Sequence, residues 1–165
     1  MSTTTPKHQR RPRWAPRVSA VIVALTHSRY TLRRAARRAG DRRLSHRLRR
    51  LANRKRAAAA DLARDKPPST DPADSKTEVP APFLGDEIRT ATEIGSLAAS
   101  LRSNRKLRAA VEHALAANPP TRIRQKLERL RDETDRESGT LNARLGELAI
   151  PPLQMADATG SGNSE

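Results

Sequence analysis

From Pro16 to Ala39, the residues Val18, Ile22, Leu25, Leu32, Ala35 and Ala36 recur at helical spacing, with Val21 widening the stripe. That spacing lays one apolar face along an α-helix; a strand would alternate every second residue. Pro16 is tolerated in a first turn, where its missing N–H has no partner to lose. Gly40 is expected to take positive φ as the C′ residue, and Asp41 to cap the next helix. A second stripe, Leu44, Leu48, Leu51, Ala58 and Leu62, predicts a helix over 42–64. Lys55 interrupts it and is expected to snorkel outwards from its edge. Pro67-Pro68 ends it, because a residue before proline avoids the α region.

A third helix is predicted to open on the capping pattern Thr90-x-x-Glu93. Its stripe is Ile94, Leu97, Leu101, Val111 and Leu115, with Ala98 and Ala114 beside it; Asn104 and Arg108 weaken the middle. Asn118-Pro119-Pro120 makes a turn into a fourth helix over 120–148, lined by Ile123, Leu127, Leu130, Thr134, Leu141, Leu145 and Leu148. Gly139 costs it about 1 kcal/mol relative to alanine and allows a bend. Pro151-Pro152 stops it. No stretch alternates like a strand.

The remaining segments are polar and proline-rich. Residues 1–15 read as a disordered basic arm, 66–89 as a linker holding Phe83-Leu84 that could dock on the folded part, and 150–165 as a disordered tail. Two hairpins, 16–65 and 90–149, joined by one long connection predict an all-α fold: a four-helix bundle with a Pro-rich crossover. The alternative is two separate hairpins that pack only in an oligomer.

With single Trp14, Tyr30 and Phe83, the core must be built from leucine, isoleucine, valine and alanine. Such a core is thin, and dimerisation could reinforce it. The chain has no cysteine, which excludes disulfides, thiolate metal sites and cysteine nucleophiles. The apolar run Val18 to Leu25 is too short to span a membrane and lacks a convincing cleavage site behind it, so a cytoplasmic location is expected.

Charge changes the picture more. Net charge is +15, and residues 1–65 hold 19 Lys/Arg against three acids (Asp41, Asp61, Asp65), a surplus of sixteen. The rest of the chain is nearly neutral. This asymmetry points to an anionic partner.

Laid out this way, the chain resembles a bacterial ferritin-like family of unknown function, whose members are small four-helix bundles of two such hairpins. The resemblance is carried by Leu25 to Leu62, with Ala35-Ala36, Gly40-Asp41, and Leu51-Ala52-Asn53-Arg54 running into Ala58-Ala59-Ala60-Asp61-Leu62. It continues through Glu112-His113-Ala114-Leu115, Pro119-Pro120 and Leu127. It implies a ferritin-like fold. Where the family tends to carry acidic residues and a tyrosine in the middle of helix three, this chain has Leu101, Asn104 and Val111. The family's His-Arg-x-Trp element between the hairpins is missing as well.

A ferritin-like di-iron site takes a Glu from each of two helices and Glu-x-x-His from each of the others. This chain has no Glu-x-x-His, and its first two helices contain no Glu. His27, His46 and His113 read as surface histidines. No metal or other cofactor is therefore expected. There is no phosphate-cradling loop or nucleophile elbow. Ser103-x-x-Lys106 matches a Ser–Lys pattern by spacing alone, and Glu112 and His113 point in different directions on a helix. An enzyme is not expected.

Arginine rows are the remaining signal. Arg29, Arg33 and Arg37 form one, Arg34 and Arg38 a parallel one, and Arg43, Arg47, Arg50 and Arg54 a third; Arg10 and Arg11 lie in the arm. Like charges at this spacing repel by a few tenths of a kcal/mol per pair, which an anion would relieve. Glu128, Asp132, Glu133, Asp135 and Glu137 on helix four could neutralise only part of the surplus. Two functions are consistent with these features. One is a non-enzymatic ferritin-like bundle acting through protein contacts, including a homo-oligomer. The other is nonspecific binding of nucleic acid or another polyanion through Arg10, Arg11, Arg29, Arg33, Arg37, Arg43, Arg47, Arg50 and Arg54. Against the second stands the reading that the arginines reflect genome composition and form a merely solvated surface.

Overall fold

A computed structural model describes residues 12–66 and 92–149. They form four helices: α1 (Trp14–Arg38), α2 (Arg42–Asp65), α3 (Glu93–Ala116) and α4 (Thr121–Ala149). α1 packs on α2 and α3, and α3 packs on α4. α2 and α4 close the ring with the loosest approach of the four adjacent pairs. The hairpins therefore pack on each other within one chain, and do not need an oligomer to do so. The predicted disordered arm gives way two residues early, since Trp14 and Ala15 already belong to α1. The expectations for residues 1–11, for the linker beyond Lys66 with Phe83-Leu84, for Thr90 and for the tail from Ile150 lie outside the described residues.

Contacts at the helix ends fix the directions. The Gly40 N–H, just past α1, donates to Glu93 Oε2 at the start of α3 (2.9 Å). Glu93 Oε1 also lies 3.5 Å from Arg144 near the end of α4. At the opposite end, Lys126 of α4 reaches Asp61 and Asp65 of α2 at 2.8 and 2.7 Å. Every adjacent pair is consequently antiparallel, and the connection from α2 to α3 must link opposite ends of the bundle. That is a four-helix bundle with one long crossover.

Local chemistry sets the boundaries. Asp41 caps α2 as expected, accepting from the Arg43 N–H at 2.8 Å. The cap of α3 is Thr92, accepting from the Gly95 N–H at 3.0 Å, in place of the expected Thr90. Glu93 is then free to turn towards Gly40 and Arg144, and Ile94, expected in the core, is left 46 % exposed. Gly40 does not use positive φ, which no described glycine adopts. Its lack of a side chain serves the Glu93 contact, because a Cβ would lie 3.3 Å from Glu93 Oε2. Between α3 and α4 the chain turns through Asn118 at φ 53, a conformation asparagine tolerates better than most residues.

The apolar stripes meet in two clusters. One joins Val18, Val21 and Leu25 of α1 with Leu62, Leu107, Val111, Ile123, Leu127 and Leu130. The other joins Leu32, Ala35 and Ala36 with Leu48, Leu51, Ala52, Leu97, Leu101 and Leu141. Leu107, outside the predicted stripe, is fully buried. The clusters are stacked along the bundle, and a polar layer lies between them.

Candidate polyanion groove and the buried polar layer

The polar layer takes one position or more from the middle of each helix: Ser28 of α1, Lys55 of α2, Asn104 of α3, and Thr134 and Glu137 of α4. All are buried. Lys55 does not snorkel; it is 2 % exposed, with Nζ 2.6 Å from Glu137 Oε2 and donating to Thr134 Oγ1 at 3.2 Å. Its stripe position lies too far inside the bundle for the ammonium to reach water, so it is neutralised where it stands. Ser28 Oγ donates to Asn104 Oδ1 (2.9 Å), and Asn104 Nδ2 reaches towards Glu137 Oε2 (3.5 Å). Burial raises the Glu137 carboxyl above its ordinary 4.5, with Lys55 and Asn104 offsetting part of the effect. One level away, His27 Nδ1 lies 3.0 Å from Ser103 Oγ. His27 is thus half-buried and partnered, while His46 and His113 are exposed as expected.

A di-iron centre of the ferritin-like kind does not fit this layer. Its polar groups are one carboxylate, an ammonium, an amide and two hydroxyls, and the ammonium already holds the carboxylate. Among the described residues, no group of three or more His, Asp or Glu could hold a metal ion.

The second feature is the loose seam between α2 and α4. Three hollows of about 370, 600 and 450 Å³ follow one another along it. The first two share Arg43, Arg47 and Thr140, and the last two share Arg54 and Glu133, so they form one groove. Arg43, Arg47, Arg50 and Arg54 all line it and all are exposed. Their spacing sets them on one stripe of α2, beside the buried stripe of Leu48, Leu51 and Lys55. Arg47 donates to Thr140 Oγ1 at 3.3 Å across the seam. None of the four has an ion pair among the described residues.

The other expected positions do not join this groove. Arg33 and Arg37 are exposed on α1, and Arg29 is half-buried with its Nε unpartnered. Arg10 and Arg11 lie outside the described residues. The helix-four acids expected to face the arginines are mostly used elsewhere. Asp135 binds Arg108 of α3 at 2.7 Å, Asp132 accepts from its neighbour Arg131, Glu137 serves Lys55, and Glu128 is exposed. Glu133 alone of the five lines the groove without an ion pair. Sequence reasoning missed Arg129 and Arg136, which line the groove from α4; their seven-residue separation was the available signal.

Ion pairs close one end of the groove. Hydrogen bonding from Lys126 holds Asp61 below its ordinary 3.8, and Asp61 and Asp65 hold Lys126 above its ordinary 10.5. Among the described residues, no helix is long and apolar enough to cross a membrane. The fold and the groove define an all-α four-helix bundle with an arginine-lined seam. Comparison with family models, curated proteins and solved structures gives no match.

Proposed function

We propose that this is a non-catalytic polyanion-binding protein that holds nucleic acid through its phosphates, without reading sequence, on the arginine-lined side of α2. One observation carries the reading. Arg108, Lys126, Arg144 and Lys55 each have a carboxylate partner, whereas Arg43, Arg47, Arg50 and Arg54 are exposed together with none among the described residues. Arginine suits phosphate because its planar fork donates two hydrogen bonds at once. Trp14 and Tyr30 lie on α1 outside the groove, and His46 is the one ring lining it among the described residues, so bases have little aromatic platform there. The test is binding to labelled nucleic acid across a salt series. Changing all four arginines to Gln should flatten the log–log salt slope by about 3, at roughly 0.7–0.9 per phosphate contact. An unchanged slope rejects the surface.

A second reading has its own support. One long crossover, antiparallel neighbours and a polar layer at mid-height favour a ferritin-like bundle in which Lys55 and Glu137 stand where metal ligands would be, acting through protein contacts. Light scattering after size exclusion tests it; a monomer with no co-purifying protein counts against it.

A further inference from the structure

The geometry points to a single strand of nucleic acid, not a duplex, as the occupant of the α2–α4 groove. This deepens the polyanion reading and rests on it. The groove has two basic walls. Arg43, Arg47, Arg50 and Arg54 stand on α2, and Arg129 and Arg136 on α4, all exposed and none with an ion pair among the described residues. At 1.5 Å per residue, the α2 row extends about 16 Å, with neighbouring arginines about 4.5–6 Å apart along the axis. That interval is close to the separation of successive phosphates on one strand. A strand laid between the walls can be gripped from both sides. A duplex is broader than either helix and would rest on the ridges, reaching the α2 arginines without those of α4.

The floor of the groove supports the same occupant. Glu137 lines it, but its charge is balanced by Lys55 from below. On the α4 side Glu133 is the acid without an ion pair among the described residues; it lines both the central and the adjoining hollow, between Arg136 of the one and Arg129 of the other. It opposes any phosphate seated between the walls, and sets a ceiling on affinity that its removal would lift. Among the described residues the one ring on the lining is His46, and stacking on a ring is sequence-tolerant, so the strand is held chiefly by its backbone and its bases are left unread.

The experiment uses the full chain and dye-labelled oligonucleotides of about 12 nucleotides, one purine and one pyrimidine, with a duplex of the same length as competitor. Both single strands should bind alike and more tightly than the duplex. R129Q/R136Q should weaken single-strand binding about tenfold at moderate salt and make the slope shallower by about 1.4, at roughly 0.7 per phosphate. E133Q should tighten it. Circular dichroism of each variant checks that the bundle is intact, which the exposed Arg129 and Arg136 and the half-buried Glu133, none of them in an ion pair among the described residues, should not disturb. A duplex that binds as tightly as the single strands would overturn the groove assignment. So would R129Q/R136Q and E133Q variants that match the parent while loss of the α2 arginines abolishes binding; the polyanion reading would then stand alone. Absence of binding to any nucleic acid at low salt would overturn both.

Discussion

At the scale of single residues, the decisive pair is Lys55 and Glu137. Removing one partner of a buried ion pair leaves the other charge uncompensated, whereas removing both can be neutral or stabilising. K55M or E137Q alone should therefore cost about 3–5 kcal/mol, and K55M/E137L together far less, read from urea unfolding. A double variant as damaged as either single one would show that the pair is not the unit. The sign of the pH effect comes from burial, which raises the Glu137 carboxyl above 4.5. The folded chain then holds this proton more readily than the unfolded chain. The contribution is fully present below pH 4.5 and is lost as pH rises through the raised value. The stability advantage of the parent over K55M/E137L should accordingly shrink from acid towards neutral pH; an advantage that grows would contradict the burial argument. In the sequence, Lys55 and Asn104 are visible as flaws in two stripes. That these flaws face one another, and that Glu137 joins them, depends on how the helices are rotated, which the periodicity of one helix does not fix.

At the scale of the helices, existence and approximate extent were legible because leucine and alanine recur so regularly. Ends were legible only where a side chain makes the cap. Asp41 was readable because it directly succeeds the Gly40 break, but Thr92 was not, because Thr90-x-x-Glu93 offers a competing pattern two residues earlier. The structure gives Thr92 the backbone N–H, and Glu93 a tertiary role at Gly40. D41A and T92A should each cost about 1 kcal/mol, with Gly at either position costing only a few tenths. Thermal unfolding checks this, and a T92A melt identical to the parent would remove Thr92 as the cap. Gly40 shows how a correct breaker can be assigned the wrong reason: its small size is used, not its freedom to reach positive φ.

At the scale of the whole molecule, the two hairpins and their long connection were readable from proline placement and stripe length. The order of helices around the ring was not, and the groove depends on that order. The seam pairs α2, from the basic part of the chain, with α4, from the part that is neutral overall, so charge totals alone do not reveal a basic α4 wall. The same arrangement has a consequence for continuity of the chain. α1 meets α3 through buried Val, Leu and Ala side chains, and each hairpin carries its own tight turn. A break between Lys66 and Thr92 would leave all of those interfaces whole. Two polypeptides, ending and starting there, should complement one another on mixing. They should regain a helical signal and cooperative melt that neither sustains alone, because a lone hairpin leaves its leucine face in water. If the mixture merely summed its parts, covalent tethering would be what keeps this bundle assembled.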